Sequence, residues 1–168
     1  MRRTILLISL IIAVPSLAWS QTNSGYSHSE SIITSRCMGS QLSASHESDD
    51  AGAGQRFVTY AFTNKSSSPC TLSGYPKFVL LNKYGRPIPG QSVTHNSDPV
   101  TVVTLAPGGK AFFVIRYSAC STVGTPPCRF SSKVRITAPH TGRAFILRER
   151  LDPFQLSVSL SPVNSSAP

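Results

Sequence analysis

The chain is poor in acids, in tryptophan and in any stretch with a sustained helical period. Its 7 Asp and Glu stand against 16 Lys and Arg, a formal net charge of +9. Glycoside chemistry needs two carboxyl groups facing one another across a cleft. Here only Asp49 and Asp50 are close together, and neighbours in one loop do not face each other. No G-x-S-x-G elbow and no H-E-x-x-H pair is present, which removes the commonest signatures of a serine hydrolase and a zinc protease. The four cysteines contain no C-x-x-C pair, so structural zinc is disfavoured. These absences point to a non-enzyme without catalytic residues, cofactor or metal.

What is present begins with an export pattern. Arg2 and Arg3 form a positive start, and Ile5 to Val14 is apolar apart from Ser9. That is the length of a signal-peptide core and short for a bilayer span. Ala18-Trp19-Ser20 offers a small-x-small cleavage site before Gln21, with Ser16-Leu17-Ala18 as the other candidate. Residues 1–20 are therefore expected to be a signal peptide, leaving no transmembrane span and a secreted or periplasmic chain. No cysteine sits near the junction, so a lipid anchor is not expected. Cleavage removes Trp19, the single tryptophan, and two of the 16 basic side chains, and the product remains strongly basic. A basic exported protein meets anionic headgroups and acidic polymers rather than nucleic acid.

An even number of cysteines in an exported chain reads as a disulfide framework. Cys37, Cys70, Cys120 and Cys128 allow three pairings. Cys120 and Cys128 can join across a short loop with little chain reorganisation, and Cys37 with Cys70 would tie the first strand to the turn after the second. A Cys70–Cys120 bridge would overturn that assignment.

Residues 21–35 are polar and Ser-rich, a flexible lead-in. From there short apolar runs alternate with turn residues. Cys37 to Ala44 is a first strand, and His46 to Gly54 (HESDDAGAG) reads as a loop. Phe57 to Asn64 alternates cleanly, with Val58, Tyr60 and Phe62 on one face. Cys70 to Leu72, Phe78 to Leu81 and a Pro-marked edge strand from Pro87 to Thr94 follow. Val100 to Leu105 leads into a hairpin-like turn at Ala106 to Gly109 and a strand through Ala111, Phe113, Ile115 and Tyr117. Val134 and Ile136 mark another strand. Phe145 to Leu151 fits a strand by residue type and a helical turn near its end. Phe154 to Ser161 shows the cleanest period of two, and the tail after Pro162 looks frayed. Strands recurring every ten to fifteen residues without helices predict an all-β fold, an immunoglobulin-like antiparallel β-sandwich stapled by disulfides, with a single domain over 36–163 and a tail at 164–168. Its expected core is led by Phe62, Phe78, Leu80, Phe113, Ile115, Leu156 and Val158.

Thr63-Asn64 before a serine run, and then Pro69-Cys70-Thr71-Leu72-Ser73-Gly74-Tyr75-Pro76, resemble the signature of DUF4232, a bacterial exported domain of unknown function. Cys37, Gly52-Ala53-Gly54, Gly85, Val103 to Gly109 with Ala111, and a late cysteine at Cys120 or Cys128 fit the same pattern. The resemblance covers Cys37 to about Pro139 and implies an immunoglobulin-like sandwich outside the cytoplasm with no assigned catalytic residue. Many members are lipoproteins or membrane-tethered, whereas this chain has no lipobox cysteine.

Candidate chemistry is thin. His46, Glu47, Asp49 and Asp50 could approach a cation, although a hydrated polar loop explains them as well. His95 and His140 flank turns and are expected to face solvent. Arg129, Lys133, Arg135, Arg143, Arg148 and Arg150 concentrate cations late in the chain, a candidate patch for an anionic partner. The sequence thus reads as a monomeric binding module for a protein or anionic glycan at the bacterial envelope, its ligand unnamed. One alternative is a protease-inhibitor-like module presenting the Cys120–Cys128 loop, and a more distant one is a small secreted hydrolase.

Overall fold

In the computed structural model of the protein, residues 34–123 and 128–167 are described. The expected signal peptide, nearly all of the lead-in and the tip of the Cys120–Cys128 loop lie outside them. Ten strands follow in chain order: β1 Leu42–Gly52, β2 Gln55–Asn64, β3 Cys70–Ser73, β4 Lys77–Leu81, β5 Ser92–His95, β6 Val102–Leu105, β7 Lys110–Ser118, β8 Lys133–Thr137, β9 Ala144–Leu147 and β10 Ser157–Leu160. One helical turn, Cys120–Val123, and two short 3₁₀ turns complete the described residues. The fold is all-β.

One sheet runs β1-β2-β7-β10-β5; a second runs β4-β8-β9, and β3 pairs with β6. Alternation along β2 and β7 drives the packing: Val58, Tyr60 and Phe62, and Ala111, Phe113, Ile115 and Tyr117, are all buried on one face. Phe78 and Leu80 of β4, with Val134 and Ile136 of β8, are buried opposite them. Aromatic rings bind the layers. Phe113 stacks between Tyr60 at 5.4 Å and Phe62 at 5.3 Å, and across the core Tyr60 meets Phe78 at 6.0 Å and Phe62 meets Phe145 at 6.2 Å. Each such ring, fully removed from water, contributes about 2–3 kcal/mol. All seven residues expected to lead the core are buried.

Of the three possible pairings the protein forms Cys37 to Cys70 and Cys120 to Cys128. The first holds the segment before β1 against β3, where Cys37 N also donates to Thr71 O.

Several elements differ from the sequence reading, each for a physical reason. His46 to Gly54 is a strand rather than a loop: β1 pairs with β2 from Leu42↔Asn64 to Gly52↔Gln55. Its Ser, Asp and Glu residues are poor strand formers, but β1 is an edge strand, where charge is tolerated and discourages edge-to-edge association. The hairpin closes on Ala53 and Gly54, with φ of 49° and 78°, the primed turn that matches strand twist. The turn at Ala106 to Gly109 is not a hairpin. It carries the chain from β6, paired with β3, to β7 in the five-stranded sheet. The return after β4 makes a single bridge, Leu81 to Pro87. The Gln91 side chain then occupies the place of a strand, accepting from Leu80 N and donating to Leu80 O. Released from that edge, β5 crosses to lie parallel to β10, the one parallel pair among the described strands. Phe154 to Leu156 is a 3₁₀ turn with Gln155 at φ 52°, so only the second half of the alternating run is strand. Of the ambiguous Phe145–Leu151 segment, β9 takes the first part. Past Pro162 the chain stays anchored: Val163 is fully buried, and Asn164 exchanges backbone hydrogen bonds with Phe112 at 2.7 and 2.8 Å.

Asn64 ends β2 as a buried polar hub. Its Nδ2 donates to Ser68 O at 2.8 Å and Leu105 O at 3.1 Å, and its Oδ1 accepts from Ser66 N at 3.0 Å and Ser66 Oγ at 2.7 Å. Asn64 N donates to Gly109 O, and Asn64 O accepts from Gly108 N. One residue therefore fixes both turns, the serine turn and Leu105 through its side chain and the crossing turn through its backbone.

Candidate binding surfaces

The register decides which sequence-level candidates meet. A bulge in β1 lies between His46, opposite Tyr60, and Ser48, opposite Thr59. The extra residue shifts the alternation, so His46 and Asp49 share the face of Tyr60 and Val58, while Ser48 and Asp50 take the outer face. The four polar residues of this segment are split accordingly. Glu47 pairs with Lys110 at 2.8 Å, and that hydrogen bond, helped by one from Ser45, lowers its pKa. His46 Nε2 lies 3.2 Å from Asp49 and Nδ1 lies 3.7 Å from Glu149. With the carboxylates on opposite ring nitrogens, the histidine clasps the edge of one sheet to the segment after β9. A shared cation would need them on one side. No group of three or more metal-binding side chains occurs among the described residues. Burial pushes the Glu149 carboxyl up; nearby Asp49 adds to this and His46 opposes it. Beneath, burial also raises the Tyr60 phenol, whose hydroxyl has no hydrogen-bond partner. Tyr117 at the same end is pushed up to about 12, chiefly by burial. His95 and His140 are exposed, and His95 stacks on Tyr75 at 4.0 Å.

The six late cations do not form one patch. Arg129 donates to Pro89 O at 3.1 Å, Arg143 lies over Phe145 at 5.8 Å, and Arg150 covers Phe130 at 4.1 Å. The other three share the outer face of the three-stranded sheet. Val134 and Ile136 of β8 point into the core, so Lys133 and Arg135 point out. The β8–β9 register pairs Val134 with Leu147 and continues through the Glu149 N to Ser132 O hydrogen bond, which sets Arg148 beside Lys133. Lys77, opposite Thr137 on β4, adds a cation that the sequence reading left out. The described acids lie elsewhere: Glu47, Asp49 and Asp50 on β1, Asp98 after β5, and Glu149 and Asp152 after β9.

A second surface was not anticipated at all. The outer face of the five-stranded sheet forms an open trough of about 980 Å³, floored by outward residues of β1, β2, β7 and β10 and walled by the segments at 96–101 and 164–166. Its floor presents Phe57, Phe112 and Ser159 over a buried Thr59, with Asp50 and Arg116 to one side. Arg116 lies over the Phe57 ring at 5.8 Å, and its Nε donates to Gln55 Oε1 at 3.2 Å.

The family model for DUF4232, a domain of unknown function, matches residues 37–164. The chain belongs to the DUF4232 family. The match spans both disulfides and every strand of this DUF4232 domain. Much of the signature that carried the resemblance is accounted for by structure: Asn64 is the turn hub, Cys70 the staple, and Gly108-Gly109 the crossing turn bonded to Asn64. No curated protein matches the chain.

Proposed function

We propose that the protein is a non-catalytic, exported binding module whose basic sheet face meets an anionic polymer of the bacterial envelope. The observation that carries the reading is the segregation of charge. Lys77, Lys133, Arg135 and Arg148 share one face, with no acid placed among them and no ion pair to any of the four among the described residues. Lys133 and Arg135, two residues apart on a strand, are spaced about 7 Å, with the neighbouring strand about 4.8 Å away. Such a grid suits repeating phosphates or carboxylates. Arginine grips an oxyanion with a bidentate fork and lysine acts as a point charge. Export is supported by two disulfides, which persist in oxidising compartments. No described helix is long and apolar enough to cross a membrane.

The test is co-sedimentation of the mature protein with lipopolysaccharide and with teichoic-acid-bearing wall, at increasing salt. Binding should weaken steeply from about 50 to about 500 mM salt as the Debye length shrinks, and Lys133→Glu with Arg135→Glu should abolish it. Binding that ignores salt, or that survives the double reversal, would refute the proposal.

A further inference from the structure

We infer that the trough on the five-stranded sheet is a second binding site, for an uncharged oligosaccharide chain. It lies on the sheet opposite the basic face and stands or falls independently of it.

What the trough can hold is set by its floor. The backbone groups of β2 and β7 in the floor are consumed by the ladders, so an extended peptide could pair only along the outer edge of β1 and not across the trough. Recognition falls to side chains. Four strands spaced about 4.8 Å apart, with the flanking walls, give a surface nearly 20 Å across, wide enough for several ligand units in a row. Most of the accessible polar lining is hydroxyl: Ser48 and Ser159 on the floor, and Ser97, Thr101, Ser165 and Ser166 on the walls, while Thr59 and Ser161 are buried beneath them. These groups both donate and accept, as sugar hydroxyls require. Between them stand Phe57 and Phe112, aromatic rings on an outward sheet face, neither fully buried. Aromatic faces accept the C–H side of a pyranose ring by dispersion and by the negative quadrupole of the ring.

Charge selects the class further. Asp50 and Asp98 flank the trough and disfavour a polyanion, while Arg116 balances part of their charge. An apolar ligand would strip water from many hydroxyls without replacing their hydrogen bonds, which is costly. A polyhydroxylated neutral chain satisfies both conditions.

The experiment is an NMR titration of the ¹⁵N-labelled mature protein with chitohexaose, cellohexaose and maltohexaose, each to about 10 mM, a range that detects millimolar dissociation constants. At least one is expected to bind, with shifts at Thr59, Phe112, Val114 and Ser159 and little effect of salt. Ser159→Trp fills the trough from a partly exposed position and should abolish binding while the rest of the spectrum stays in place. Phe112→Ala should weaken it roughly tenfold. Lys133→Glu/Arg135→Glu should leave it unchanged, which separates this site from the basic face. The inference is overturned if none of the three binds, if the shifts fall on β4, β8 and β9, or if folded Ser159→Trp binds as tightly as the parent.

Discussion

Replacing Asn64 by alanine should cost more stability than any surface substitution in the protein. Asn64 sits at zero exposure and uses both amide hydrogens and both lone pairs of its carbonyl oxygen. Four hydrogen bonds at about 0.5–1.5 kcal/mol net each would give about 4 kcal/mol, and some relaxation of the exposed serine turn reduces this to about 3 kcal/mol. With a urea dependence of about 2 kcal/mol/M, the unfolding midpoint should fall by about 1.5 M. Equilibrium urea unfolding, followed by far-UV circular dichroism with disulfides intact, measures it. Asn64→Asp sharpens the test. It keeps shape and the acceptor side facing Ser66, but turns an oxygen toward Ser68 O and Leu105 O. At neutral pH it should lose at least as much as alanine. Ser66→Ala, which removes only the hydroxyl, should cost about 1 kcal/mol. A midpoint shift under about 0.3 M for either Asn64 variant would refute the assignment of Asn64 as the hub of the two turns.

Three further outcomes follow from the same structure. On loop length alone, removing Cys37–Cys70 should cost about 3.7 kcal/mol and removing Cys120–Cys128 about 2.5 kcal/mol, read from paired Cys→Ala variants. Glu149 has a folded pKa above its unfolded one, so its ionisation penalises folding. The penalty is absent below the unfolded carboxylate pKa and grows as pH rises through the raised value. Glu149→Gln should therefore stabilise the protein at pH 7 and converge with the parent near pH 4; a difference that grows toward acid would contradict the burial argument. Ala53, held at φ 49° in the β1–β2 turn, should give way to Asn or Gly with a gain of up to about 1 kcal/mol, seen as a higher melting temperature.

How much of this was legible depended on whether a residue's role was local. Val58, Tyr60 and Phe62, and likewise Phe113 and Ile115, declare their face by period alone, so the core could be read directly. The pairing of Cys120 with Cys128 is equally local. Residues 46–52 could not be read as strand, because what makes them one is the ladder to β2, a partner that outweighs the preferences of Asp, Ser and Glu. The Ala106–Gly109 turn looks the same in sequence whether it joins neighbours in one sheet or crosses between sheets. Asn64 was visible as part of a signature, but one of its four hydrogen bonds goes to Leu105, forty-one positions on, and its link to the crossing turn exists only in the fold. The cationic set was visible as composition, yet only the β8–β9 register separates Lys133, Arg135 and Arg148 from Arg129, Arg143 and Arg150, and only the β4–β8 register adds Lys77. The trough was illegible for the same reason. Ser48, Phe57, Phe112 and Ser159 lie on four strands spread over more than a hundred residues, and nothing short of the strand order brings them to one floor.

That order has a consequence for how the protein comes to exist. β10 is the last strand in the chain but takes an interior place, between β7 and β5. As the chain grows from its amino end, β1 can zip to β2 while the later strands are still missing. Its large sheet, however, stays split, with β5 unattached, until residues 157–160 emerge. The sandwich is therefore completed by the part of the molecule that is made last.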